Sequence, residues 1–130
     1  MTEQEKQLLL KDLCARLPYI ENWVQFEGKD WIVTGYGHGR VSLLPSLVSS
    51  AVGPCPLVEE VKPYLRPMSS MTEEEKIEWD AEYAYNINSY PYEQYLAEMI
   101  DWLNTHHLDY RGLIEKGLAL EAPEEMYKTE

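Results

Sequence analysis

Apolar positions change period along the chain, and each change marks a different element. Leu10, Leu13, Cys14 and Leu17 recur at i, i+3, i+4 and i+7, with Leu9 widening the stripe. That spacing belongs to one face of a helix and predicts a helix over 1–17. Cys14 falls on the stripe and is expected to be a buried small hydrophobe. Thr2 and Glu5 form a capping box ahead of it, each side chain placed to bond the other residue's free backbone N–H. Asp12 and Arg16 make an acid-before-base i, i+4 pair, assigned to the wet side. Pro18 ends the helix near Arg16.

From Asn22 the period shortens to about two. Trp23–Phe26 reads as a strand, Glu27–Asp30 as a turn and Trp31–Thr34 as the partner strand. Gly35–Gly39 makes a second reversal, and Arg40–Leu44 is a third strand of a small antiparallel meander. Val52–Pro56 is a loop, because its two prolines lack donors and fix φ. Leu57–Val61 is read as a strand or one helical turn, and Lys62–Pro67 as extended. The meander and its loop therefore occupy 22–61.

The 3.6 period returns over 70–120. Ser70 with Glu73, and Thr72 with Glu75, each fit a capping box. They predict a short exposed helix from Glu73 to Tyr85 whose buried stripe is Ile77, Ala81 and Ala84. Pro91 opens the next helix, with Tyr92, Tyr95, Leu96, Met99, Trp102, Leu103 and His106 on one face. Asp109–Lys116 adds a turn or two, with Gly117 as the stop. Leu118–Leu120 returns as a strand, and 122–130 is polar and expected to fray. The fold class is α+β in one domain, 1–130: an N-terminal helix, an antiparallel meander, and two C-terminal helices packed on the sheet.

Charge sharpens this picture. The net charge is −12. Residues 1–58 hold six acids and five bases, whereas 59–130 hold seventeen acids and six bases. Binding nucleic acid through a basic face is excluded by that balance, and so is attachment to an anionic membrane. An acidic half suits a basic protein partner, a nucleic-acid mimic or simple solubility. Two cysteines are too few for a disulfide scaffold. MTEQEKQ lacks the basic-then-apolar order of a signal peptide, so a cytoplasmic setting is expected.

Motifs with chemical potential resolve into structural roles. Gly35–Gly39 leads into a strand rather than a helix, so it is a hairpin turn and not a phosphate loop. His106 and His107 point about 100° apart on a helix and do not share one metal ion. They are read as a packed His106 and a His107 that favours the helix C-terminal dipole. No metal site and no cofactor is expected. No nucleophile elbow occurs, and the runs of glutamates read as solvated faces.

Three segments, LLLKDLCARLPY at 8–19, VKPYLRPMSSMTEEEK at 61–76 and YLAEMIDWLNTHHLDYRGLIEKGLALEAP at 95–123, resemble a group of small uncharacterised proteins of gut anaerobic bacteria and their prophages. The resemblance implies a phage or mobile-element setting and brings no activity or site residue with it. Residues 20–60 lie outside it.

The leading functional expectation is a non-enzymatic, intracellular protein-binding or regulatory protein. Its partner surface is assigned to Trp79, Glu82, Tyr83, Tyr85 and Tyr90, where aromatics interleave with acids. The first alternative is a small-molecule binder or enzyme with a sheet–helix pocket lined by Trp31, Tyr36, His38, Trp102 and His106. The second is an acidic nucleic-acid mimic.

Overall fold

A computed structural model describes residues 1–19, 21–46, 52–81 and 92–127, for 92–95 the backbone alone. It is an α+β fold. Helix α1 spans Glu3–Arg16, and β1 (Trp23–Phe26), β2 (Lys29–Gly37) and β3 (Arg40–Leu44) follow. Strand β4 (Lys62–Leu65), helix α2 (Glu73–Trp79), helix α3 (Tyr92–Thr105) and β5 (Leu120–Glu121) complete the order. The strands form one five-stranded sheet in the order β3-β2-β1-β4-β5. Its pairs are antiparallel except for the parallel β4–β5. No helix among the described residues is long and apolar enough to cross a membrane.

The capping box at Thr2 and Glu5 forms, with bonds of 2.9 and 3.1 Å. The inward face of α1 is not the predicted one. Leu9, Asp12, Leu13 and Arg16 are its buried residues, the same i, i+3, i+4, i+7 spacing displaced by one residue. Cys14 is exposed rather than buried. Asp12 and Arg16, placed on the wet side by charge, are 0% and 2% exposed. Their burial is compensated because they are paired. Arg16 grips Asp12 with two bonds of 3.0 and 3.1 Å and donates to the Leu108 carbonyl at 2.7 Å. Arg111 adds a third bond to Asp12 at 2.8 Å. The Tyr110 ring lies 5.2 and 4.6 Å from the two guanidinium carbons. This cluster ties α1 to the chain after α3.

The hairpins are tighter than predicted. Glu27 and Gly28 both take positive φ, as do His38 and Gly39, the geometry of two-residue turns matched to strand twist. Gly35–Gly37 therefore belongs to β2, with an irregularity between Val33 and Gly35. The loop at Val52–Pro56 has a structural use. The carbonyls of Pro54 and Pro56 accept from the backbone N–H groups of Leu43 and Val41 at 3.1 and 2.9 Å, so acceptor-only residues cover the outer edge of β3. At Gly53 a Cβ would collide with the Leu43 carbonyl oxygen, so no side chain fits there.

Leu9, Leu13, Val24, Val41, Leu43 and Leu65 belong to the main core, joined by Leu113 and Leu118 from the chain before β5. A second cluster gathers Trp102, Leu103 and Leu108, with Trp79 and Tyr110 packed against it. The predicted stripe of α2 is corrected here. Ile77 is 67% exposed and Ala81 is exposed, while Trp79 is the residue that turns inward. Ala84 and the predicted helix end at Tyr85 lie outside the described residues. Of the two candidate capping boxes only Thr72–Glu75 forms. The Ser70 hydroxyl donates instead to the Pro67 carbonyl.

The end of α3 is specific. The His107 N–H donates to the Asn104 carbonyl and the Leu108 N–H to the Leu103 carbonyl, both at 3.0 Å, with His107 at φ 58. This is a Schellman stop with histidine in the position glycine usually fills. Residues after it return to the sheet. Arg66 N–H donates to the His107 carbonyl and Asp109 N–H to the Arg66 carbonyl, each at 2.8 Å. The Asp109 carboxylate then accepts from the N–H groups of Leu113 and Ile114. That stretch is turns, not the additional helix expected over Asp109–Lys116.

Candidate functional site: an acidic cleft

The cleft of about 930 Å³ lies where α2 begins and where the chain leaves β5. Glu73, Glu74 and Glu78 border it from α2, Glu121 from the end of β5 and Glu124 from the arm after the sheet. Arg66, His106 and Tyr127 also line it.

Arg66 is the cation of this site, and its charge is already engaged. Its guanidinium donates to both Glu75 oxygens at 2.9 and 2.6 Å. It also bonds the carbonyls of His106 and Ser70 at 3.2 and 3.1 Å. Glu75 in turn accepts from the Thr72 N–H at 2.8 Å as the capping box of α2. The Arg66 hydrogen bonds hold the Glu75 carboxyl far below its ordinary range, at about 2, with the Thr72 N–H adding to the effect. Glu75 is thus a fixed anion neutralised on the spot, and the remaining glutamates set the sign of the cleft.

Those glutamates are held to different degrees. Glu78 accepts from the Trp102 indole N–H at 2.9 Å. Glu73 lies 3.9 Å from Lys76 along the exposed surface of α2. Glu74, Glu121 and Glu124 make no ion pair among the described residues. His106 stacks on Trp102 with centroids 4.0 Å apart. Its Nδ1 lies 2.8 Å from the Trp102 carbonyl. A carbonyl only accepts, so Nδ1 carries a proton. Nε2 faces Glu75 at 3.9 Å.

The wall opposite α2 depends on Tyr127, at the end of a tail expected to fray. Over 122–127 that expectation fails because Tyr127 is anchored, and 128–130 lie outside the described residues. β1 and β4 pair only at Val24–Pro63 and Gln25–Lys62. Continuing that register sets Trp23 opposite Tyr64, and the Tyr127 hydroxyl stands between them. It accepts from the Trp23 N–H at 2.9 Å and donates to the Tyr64 carbonyl at 3.0 Å, supplying a rung the strands do not make themselves. Its ring stacks on His107 at 3.7 Å and 8°. Burial pushes the Tyr127 phenol well above its usual range. Burial, reinforced by Arg16, Arg66 and His106, lowers His107 to about 4. His107 is therefore a neutral packed ring and not a cation favoured by the helix dipole.

The sequence-assigned residues separate. Trp79 is half-buried, 5.4 Å from Trp102 between ring centroids. Glu82, Tyr83, Tyr85 and Tyr90 lie outside the described residues. In the alternative pocket set, Trp102 and His106 come together. Trp31 instead packs on the main core, Tyr36 is exposed on β2, and His38 sits in a hairpin turn. Of the five, only His106 borders the cleft. Arg66, Glu75 and Tyr127 were not singled out by sequence as site residues. The Thr72–Glu75 box was visible; its partnership with Arg66 depends on the fold. No group of three or more His, Cys, Asp or Glu arranged to hold a metal ion occurs among the described residues.

Comparison with known proteins adds no relative: no family model, curated protein or solved structure matches the chain.

Proposed function

We propose that this protein is a non-enzymatic, intracellular binding protein whose acidic cleft receives a lysine- or arginine-bearing segment of a partner protein. One observation carries the reading. The cleft is bordered by six glutamates, and its one arginine is consumed by one of them. Five carboxylates are left to define a negative groove. Such a groove raises the local concentration of cationic groups and speeds their encounter. An enzyme pocket of this size is lined mainly by apolar groups with a few convergent polar ones, whereas six of the fourteen residues lining this cleft are glutamates. The resemblance of 8–19, 61–76 and 95–123 to small bacterial and prophage proteins supports a mobile-element setting.

The test is titration with a fluorescent lysine-rich peptide at two salt concentrations. Saturable binding that weakens with salt is expected, with a loss of about tenfold or more in Glu74→Lys/Glu124→Lys, two opposed charges reversed. Equal binding by that variant would overturn the reading. Binding by a neutral peptide of the same length would do so too.

A further inference from the structure

The arm that walls the cleft is fixed to the body at two points. At one end the Ala122 N–H donates to the Leu65 carbonyl at 2.8 Å, continuing the β4–β5 pairing. At the other end Tyr127 is seated as described. Between them Pro123, Glu124 and Glu125 are exposed. The hydrogen bond found there is local, from the Met126 N–H to the Pro123 carbonyl at 3.0 Å. Residues 123–126 make no hydrogen bond or ion pair to another element among the described residues.

Such an arm has one pivot and one latch. Segments with few buried contacts open locally at a free energy below that of global unfolding. The latch differs from the pivot in kind. Ala122 continues a strand pairing, but Tyr127 holds through one hydroxyl and one stacked ring. When that ring leaves, the Trp23 N–H loses its acceptor while the β1–β2 pairing at Trp23–Ile32 stays intact.

We propose that Ala122–Tyr127 is a strap that opens as a unit about Ala122 when Tyr127 leaves its seat between β1 and β4. Because Glu124 rides on it, opening withdraws a carboxylate from the cleft and weakens the hold on a basic segment. That second clause rests on the function proposed above; the opening itself does not.

Hydrogen exchange on the full chain in low guanidinium tests the opening. Local opening exposes little surface, so exchange at Trp23 is expected to be nearly independent of denaturant. Exchange at buried Leu13 in α1 is expected to rise steeply with it. Tyr127→Phe is expected to speed Trp23 exchange about tenfold or more, because it removes the hydroxyl that accepts from the Trp23 N–H. Equal denaturant slopes at Trp23 and Leu13, or an unchanged Trp23 rate in Tyr127→Phe, would overturn the strap. Tyr127→Ala, checked for cooperative thermal unfolding, is expected to weaken lysine-rich peptide binding severalfold. Unchanged affinity would remove the strap's control of the cleft. Failure of the unaltered chain to bind the peptide would remove the proposed function and leave the exchange result to decide the strap alone.

Discussion

Two arginine–carboxylate pairs with the same bidentate chemistry do opposite things in this molecule. Asp12–Arg16 is sealed in the interior, shares its aspartate with Arg111, and reaches the backbone of Leu108. Arg66–Glu75 lies at a cleft edge, its side chains 17% and 14% exposed, and bonds two backbone carbonyls and a helix cap. The first joins α1 to the chain after α3. The second neutralises one acid at a helix start and leaves its neighbours to face the cleft. Surroundings, more than pair chemistry, decide whether an ion pair supports the fold or shapes a surface.

The largest expected effect comes from breaking the buried pair. Asp12→Ala leaves Arg16 and Arg111 without their anion in the interior, where removing one partner of a buried pair costs about 3–5 kcal/mol. Denaturant midpoints check this. A cost under about 1 kcal/mol, typical of exposed pairs, would mean that water reaches Asp12.

Acid is expected to act next, in two separable windows. His107 takes up a proton near 6.5 when unfolded but only near 4 when folded. Between those values the unfolded chain holds more protons, so stability falls as pH drops from 6.5 to 4. Glu75 is lowered from 4.5 to about 2 when folded. Its contribution is therefore present above 4.5 and is lost as pH falls through 2. His107→Gly separates the roles of the Schellman position. If His107 only ended α3, glycine would relieve the positive φ and stabilise by about 1 kcal/mol. The stack on Tyr127 predicts destabilisation instead, with the loss between pH 6.5 and 4 abolished. Thermal unfolding across pH reads both.

The smallest effect belongs to α2. Ile77→Ser removes a residue that faces water, and a change within about 0.5 kcal/mol is expected. A loss several times larger would show that Ile77 is covered in solution.

Much of the fold was legible in sequence. The boundaries of β1 and β3 and the caps at Thr2 and Thr72 follow from local signals acting over a few residues, whereas the returning strand expected at Leu118–Leu120 is Leu120–Glu121. The inward face of α1 was misread by one position because Asp12 and Arg16 were assigned to solvent by charge. Only a partner about a hundred residues away, Arg111, together with the Leu108 carbonyl, makes their burial tolerable. Lys62–Leu65 read as extended but not as a strand of the sheet, since Pro63 argues against an interior position; the Tyr127 hydroxyl carries the rung beyond it. Tyr127 itself was hidden because a single anchoring residue has no period. The cleft was hidden for a similar reason. Its acids come from segments separated by some forty residues, and only the sum of their charges was visible beforehand.

The central claim is that the cleft between α2 and the Tyr127 arm is the partner surface. Chemical-shift mapping of the full chain with a lysine-rich peptide tests it most directly. The account predicts shifts concentrated at Glu74, Glu121, Glu124 and His106, with the hairpin at His38 and Gly39 unmoved. Shifts centred on that hairpin, or none at saturating peptide, would contradict it.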